Sequence, residues 1–254
     1  VETRGKIPFD EIKKYNDSLV WFERLCSVLH HERVGSRLSE YKKNANSYNL
    51  SGSVVSVIDE KRLKNPLRSR EGDYLVSIKG KPNPRSNGMT DRRNIMEELF
   101  GNNWHEREEG KLFLEYLAEP STVLYPLFSD LVSRDIVSNV YHLSGGAFNG
   151  KLARPLAEQG FFVRLKDLFE PDWRDYVMIG KSFMASRETY AKWSMGNDGF
   201  VSTDNPEGVI FMAKKYHLAG KVVGQIEKAG EGKRGVELVG IKHINGGNVY
   251  YNGE

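Results

Sequence analysis

Cysteine occurs once in the 254 residues, at Cys26. A single thiol excludes a disulfide framework and a cysteine-ligated metal site. It fits a cytosolic setting, and the expected localisation is cytoplasmic. No apolar run approaches the ~20 residues of a spanning helix, and no secretory leader is recognised, so no membrane partner is expected. Neither sign of charge dominates, since 37 Lys+Arg against 34 Asp+Glu leave a net +3 at pH 7. That is too little to argue for nucleic acid, and no nucleic-acid partner is expected; it suits a small anionic ligand. Repeats and low-complexity segments are also missing. What is there is an ordinary composition, 39% hydrophobic and 28% charged, in a chain long enough for one large or two modest domains. The chain opens on Val1, which predicts either a removed initiator methionine or a segment upstream.

The most informative stretch is Tyr141-His142-Leu143-Ser144-Gly145-Gly146-Ala147-Phe148-Asn149-Gly150. Residues 135–141 before it read as a strand carrying Ile136, Val137 and Val140, and residues 151–158 after it read as a short helical turn. Glycine has no Cβ, so a loop of this kind can turn several backbone N–H groups toward one anion. A helix start beyond it adds the positive end of a dipole. Two readings fit. One is a seat for a phosphate or carboxylate with a titratable group, His142, beside it. The other is a tight strand-to-helix turn whose histidine satisfies a backbone carbonyl.

Around this stretch the pattern mixes helices and strands. Ile12, Tyr15, Leu19, Phe22, Cys26 and Leu29 share one face of a helix over residues 7–31. His30 and His31 at its end point different ways and read as a solvated terminus rather than a chelate. Residues 51–58 and 74–78 read as strands, and 94–100 as a helix. The basic, proline-containing run at 61–70 reads as a junction. Residues 106–110 read as a charged, exposed segment. Leu124, Leu127, Phe128 and Leu131 mark another helix, and residues 169–173 a turn with aromatic anchors. Residues 187–193 and 206–217 read as helices, the second opened by Pro206 at its first position. Strands are expected at 160–163, 200–202, 221–226, 236–239 and 248–251. Helices and strands do not strictly alternate, so the fold class is α+β, a mixed sheet packed with helices.

Several segments fall in a familiar order. Gly72-Asp73-Tyr74-Leu75-Val76-Ser77-Ile78, Ser86-Asn87-Gly88, Glu119-Pro120-Ser121-Thr122-Val123, Tyr141 through Phe148, and Glu188-Thr189-Tyr190-Ala191-Lys192-Trp193-Ser194-Met195-Gly196 are in register over residues 50–228. Together they resemble the aminoimidazole ribonucleotide synthetase (phosphoribosylformylglycinamidine cyclo-ligase) family, mainly its C-terminal domain. The family's own versions read Ala-His-(Ile/Leu)-Thr-Gly-Gly-Gly-Phe at the loop and Glu-Met-Tyr-Arg-Thr-Phe-Asn-Met-Gly near the end. The departures are specific. Arg85 stands where the family has a histidine before Ser-Asn-Gly, and Ser194 where it has an asparagine. The family's Gly-Thr-Asp-Gly-Val-Gly-type nucleotide segment has no counterpart, and only Glu40 stands near its acidic run. The resemblance therefore implies a partial N-terminal domain over 1–66 and a synthetase-like C-terminal domain over 67–254.

The resemblance also implies a function: ATP-dependent cyclisation of formylglycinamidine ribonucleotide in purine biosynthesis, with ATP and Mg as cofactors. It implies His142 as the catalytic group, and Ser86, Asn87, Gly88, Ser144, Gly145 and Gly146 as the seat of the phosphorylated substrate. The metal ligands stay unassigned. A homo-oligomer, or a partner chain completing the N-terminal domain, is expected. The alternative is a non-catalytic relative acting as a binding or assembly module.

Overall fold

The computed structural model describes Glu60 and residues 64–85, 88–181, 186–241 and 247–254. The helix expected over 7–31, the strand over 51–58, Glu40, and the substrate residues Ser86 and Asn87 lie outside the described residues. So does nearly all of the partial domain expected over 1–66. The described chain divides into two compact units, one containing Met89–Pro120 and the other Ser121–Glu254 with the stretch leading to Gly88.

The smaller unit is helical. Helix α1 is Met89–Phe100, a 3₁₀ turn follows at Trp104–Glu106, and α2 is Glu108–Ala118. Residues 106–109 are exposed as expected, while Glu108 to Gly110 already form the start of α2 and Gly110 is buried. Phe113, Tyr116 and Leu117 recur at helical spacing and are buried. Gly110 is buried because the Trp104 carbonyl sits where its Cβ would be, 1.7 Å away.

The larger unit is built on a sheet, as expected for an α+β chain. Its strands are β1 Tyr74–Lys79, β2 Asn139–His142, β3 Phe161–Leu165, β4 Gly199–Thr203, β5 Ala219–Lys228, β6 Gly235–Ile241 and β7 Gly247–Tyr251. The seven described strands run in the order β2-β4-β1-β5-β3-β6-β7. All neighbours are antiparallel except β3 and β6. The helices are α3 Tyr125–Ser133, a π-helical turn Phe148–Ala153 continuing into α4 Arg154–Glu158, α5 Trp173–Lys181, α6 Ser186–Lys192 and α7 Pro206–Lys215.

The apolar alternation of β1 and β4 fixes one face. Val76 lies opposite Val201 in the register, and both pack with Ile78 under Leu127, Leu131, Val209 and Met212 of α3 and α7. Each such side chain stabilises the fold by about 1.5–3 kcal/mol when buried. On the other face Phe200 meets Phe148 edge-on at 5.7 Å, which seats the π-helical turn against the sheet.

Two helix ends explain where strand and helix boundaries moved. Asp135 (φ 52) donates to Val132 O and Ile136 donates to Leu131 O, the paired bonds that close a helix through a left-handed residue. This turn consumes residues 135–136, so β2 begins only at Asn139 rather than at 135. The same closure at His217 (φ 56), with Leu218 donating to Ala213 O, stops α7 at Lys215. Asn205 caps the start of α7 through Gly208 N at 3.0 Å, with Pro206 in the first turn as expected. The turn at 169–173 is shorter than expected. Trp173 is exposed and begins α5, and Asp172 Oδ1 accepts the Arg174 N–H at 3.0 Å to cap it.

Candidate functional site

The strand directions bring several loops to one end of the sheet. β1 ends there beside the start of β4 (Ile78 opposite Gly199), β2 ends there (His142 opposite Gly199), and β5 starts there (Ala219 opposite Lys79). The loops after β1 and β2 and the segment 194–198 before β4 therefore meet.

At this end His142 and the glycine loop are side by side. Ala147 N–H returns to Ser144 O at 2.8 Å, and Gly150 N–H to Gly146 O at 2.6 Å. These bonds close the loop from inside. Among the described residues, the N–H groups of Ser144, Gly145 and Gly146 donate to nothing. Gly145 and Gly146 are exposed and Ser144 is half-buried. Gly146 needs its glycine: its φ is +89, and a Cβ would stand 3.2 Å from Gly150 Cα. The next residue is strained. Ala147 is buried with φ 33 and ψ −123, a conformation that costs a non-glycine residue about 1–3 kcal/mol. Gly88, also expected in the seat, takes φ 71 in the loop that contains Arg85.

His142 does not stand alone. Arg85 comes from the loop after β1, and its Nη2 makes a short hydrogen bond with His142 Nε2. A guanidinium only donates, so Nε2 is the acceptor and the ring carries its proton on Nδ1. Burial, with Arg85 and Lys151 nearby, holds the imidazole below its ordinary range. His142 is thus neutral at neutral pH and offers Nδ1–H as a donor. Among the described residues the ring's hydrogen-bond partner is thus the Arg85 side chain rather than a backbone carbonyl.

Arg85 is nearly fully buried and held from all sides. Nη1 donates to Thr122 O at 2.7 Å, Nε to Leu143 O at 3.4 Å, and Asp198 Oδ1 lies 3.7 Å from Nε. Its own backbone takes φ 57, and its N–H donates to Asn83 Oδ1 at 2.9 Å. Asp198 is buried as well. Burial pushes its carboxyl up, while Arg85, the Gly80 N–H at 2.7 Å and the Thr122 hydroxyl pull it back down. Gly80 can approach because it lacks a Cβ; one would strike Thr122 at 2.3 Å. Asn197 braces the next position. It is fully buried, accepts from Ser77 Oγ at 2.8 Å and Phe169 N at 3.1 Å, and donates to Met195 O at 2.9 Å.

The structure therefore brings His142, Ser144, Gly145 and Gly146 into one loop and Gly88 into the neighbouring one. Sequence reasoning missed Asp198, Thr122 and Asn197, and saw Arg85 only as a departure. The polar run Asn197-Asp198 directly before a strand was the available signal. Among the described residues no three His, Cys, Asp or Glu side chains are grouped to hold a metal ion. Nor is any described helix long and apolar enough to cross a membrane.

No known protein-family model matches the chain. Curated proteins do match. Two phosphoribosylformylglycinamidine cyclo-ligases from strains of Clostridium perfringens are each 26% identical to it, over 216 and 213 residues, or 83% and 82% of this chain. The chain spans 61% and 60% of those relatives' length. Among solved structures, phosphoribosylformylglycinamidine synthase II of Thermotoga maritima aligns at a TM-score of 0.38 with 17% identity, covering 63% of this chain and 22% of that one. Thiamine-monophosphate kinase from Stenotrophomonas maltophilia aligns at 0.43 with 14% identity, covering 67% of this chain and 51% of that one. Over most of its length the chain is thus similar to phosphoribosylformylglycinamidine cyclo-ligases, the family that the sequence motifs resemble.

Proposed function

We propose that this chain carries the substrate side of an ATP-dependent cyclo-ligase acting on formylglycinamidine ribonucleotide or a close analogue. One observation carries the reading: three unused N–H groups at Ser144–Gly146 stand next to a histidine locked as a neutral donor. Backbone donors in an exposed glycine loop suit a phosphate. The curated relatives' name supplies the reaction class.

In this reading the loop holds the substrate's phosphate, with Ser86, Asn87 and Gly88 completing the seat. His142 Nδ1–H donates to the amide-type oxygen that accepts the phosphoryl group. Phosphoryl transfer is mainly positioning and neutralisation of developing charge, and a fixed donor of known tautomer serves both. ATP supplies the phosphoryl group when bound. The described residues offer no carboxylate set for Mg²⁺, and no step is assigned to that ion. The remaining half of the nucleotide site would come from another segment or chain, which also motivates the expected oligomer or partner.

Calorimetric titration of formylglycinamidine ribonucleotide, followed by an assay of ATP-dependent phosphate release, tests this reading. Saturable binding weakened at least tenfold by His142→Ala, with phosphate release lost, is the expected result. A folded chain that binds no substrate and releases no phosphate, alone or with its N-terminal partner, overturns it. That outcome would favour the second reading, a non-catalytic binding or assembly module. One feature of the site supports that second reading: Arg85 stands where the related family keeps a histidine and occupies the Nε2 lone pair of His142.

A further inference from the structure

The same end of the sheet holds a second feature that the glycine loop does not use. β3 ends there at Leu165, and Lys166 N–H donates to Val223 O of β5 at 2.7 Å. β6 runs parallel to β3 and also ends there. A cavity of about 700 Å³ opens between these strand ends and the segment 166–176. That volume falls within the roughly 300–1,000 Å³ common for small-molecule sites.

Its wall carries Lys79 from β1, Lys221 from β5 and Lys166 after β3. Two of the ammonium groups are fixed around one ring. Lys221 Nζ lies 4.9 Å and Lys79 Nζ 5.7 Å from the centre of Phe169. Each also donates to the backbone of the same loop, Lys79 to Glu170 O at 2.7 Å and Lys221 to Leu168 O at 3.3 Å. An ammonium carries three donors, so each keeps two for a ligand. Holding both lysines in place in advance removes part of the ordering cost of binding. Lys166 makes no ion pair among the described residues. The acids on the wall are Asp167 and Glu170, and Glu170 already accepts the Tyr176 hydroxyl.

The rest of the wall is mainly apolar, with the rings of Tyr176 and Tyr190. Val239 and Ile241 contribute from β6, and the β6–β7 register shifts between Leu238 and Ile241 at the cavity edge. Irregularities of this kind commonly re-aim side chains beside sites. A smaller cavity of about 300 Å³ shares Lys166 and Asp167 and adds Arg164.

From this arrangement we propose a second ligand site: the cavity binds a phosphate-bearing small molecule, with Lys79, Lys221 and Lys166 on the phosphate and Phe169, Val239 and Ile241 along the apolar remainder. Lysines act on phosphate as multi-donor point charges, which two preset ammonium groups and a third unpaired one supply here. The site is separate from the Ser144–Gly146 seat and stands or falls independently of the cyclo-ligase reading.

Amide-resolved NMR titration of the full chain with inorganic phosphate, pyrophosphate and phenyl phosphate tests it. Saturable shifts at residues 166–171 and at Gly240 are expected. Phenyl phosphate should bind more tightly than inorganic phosphate, and equal binding would overturn the role given to the apolar wall. Lys79→Gln/Lys221→Gln should weaken binding at these amides about tenfold, as expected for losing charge-assisted bonds. Lys166→Gln, at an exposed position, should weaken it about threefold and serves if the double variant fails to fold. Shifts confined to Ser144–Gly146, binding unchanged in the lysine variants, or no saturable shift with any probe overturns the proposal. The first of those outcomes would leave the cyclo-ligase reading intact, so the two failures are distinguishable.

Discussion

Two regions at one end of the sheet present hydrogen-bond donors, and they do it by different physics. The loop after β2 offers backbone N–H groups whose direction is set by the chain itself. The cavity after β3 offers lysine ammonium groups steadied by an aromatic ring and two carbonyls. Backbone dipoles cannot be removed by changing a side chain, only displaced by changing the turn. Side-chain charges can be deleted one at a time, and their exposed part is screened by salt. The loop should therefore be sensitive to glycine geometry and tolerant of salt, and the cavity the reverse. Buried Arg85, Asp198 and Asn197, with half-buried Thr122, support them: Arg85 bonds His142 beside the loop and Asn197 bonds the Phe169 backbone in the cavity wall.

The largest expected effect falls on that support. Asp198→Ala leaves the Arg85 guanidinium buried without its carboxylate, and breaking such a pair costs about 3–5 kcal/mol. Urea unfolding of the variant checks this, and a loss under about 1 kcal/mol would mean the backbone carbonyls alone hold Arg85.

Next comes the loop itself. Gly146→Val places a branched side chain at φ +89 against Gly150 and should cost about 2 kcal/mol in the same assay. Gly145→Ala has open space around its Cβ and should stay within about 0.5 kcal/mol. Equal effects at the two positions would contradict the claim that only Gly146 shapes the turn.

Ala147→Gly should act the other way. It relieves a buried alanine at φ 33 and should stabilise the chain by about 1 kcal/mol, read as a raised urea midpoint. The resemblance had a glycine at this position, so the strain is a feature of this sequence.

The smallest effect is a pH dependence. The folded His142 ring titrates below its ordinary value of 6.5, so the unfolded chain binds the extra proton first as pH falls. The contribution of His142 to stability is thus complete above about pH 6.5 and is lost as pH drops through the folded value. Urea midpoints at neutral and mildly acidic pH should diverge more for the wild type than for His142→Gln. In Arg85→Ala the burial of the ring is relaxed together with the guanidinium's charge. The His142 titration seen by NMR should then move up toward 6.5.

The two regions also differ in how far they were legible in the sequence. The glycine loop was readable because its signal is local: a strand, a histidine, paired glycines and a helix start within about ten residues. The helical faces at 125–133 and 206–215 were readable for the same reason, since apolar spacing is local. The His142–Arg85 contact joins residues 57 apart, and Asp198 enters from a third segment. No spacing rule connects them. The lysine cavity was less legible still. Lys79 and Lys221 sit on β1 and β5 and Lys166 directly after β3, strands whose adjacency is set by the order β1-β5-β3, which sequence order does not reveal. The start of β2 was misplaced because Asp135 closes a helix in a left-handed turn, a conformation that a run of β-formers conceals.

The most direct test of the central claim is an amide-resolved NMR titration of the full chain with formylglycinamidine ribonucleotide. Large saturable shifts at the Ser144, Gly145 and Gly146 amides, with the His142 Nδ1–H signal moving in parallel, are what the proposed function predicts. Saturable binding that leaves those three amides and the His142 ring unmoved would contradict it.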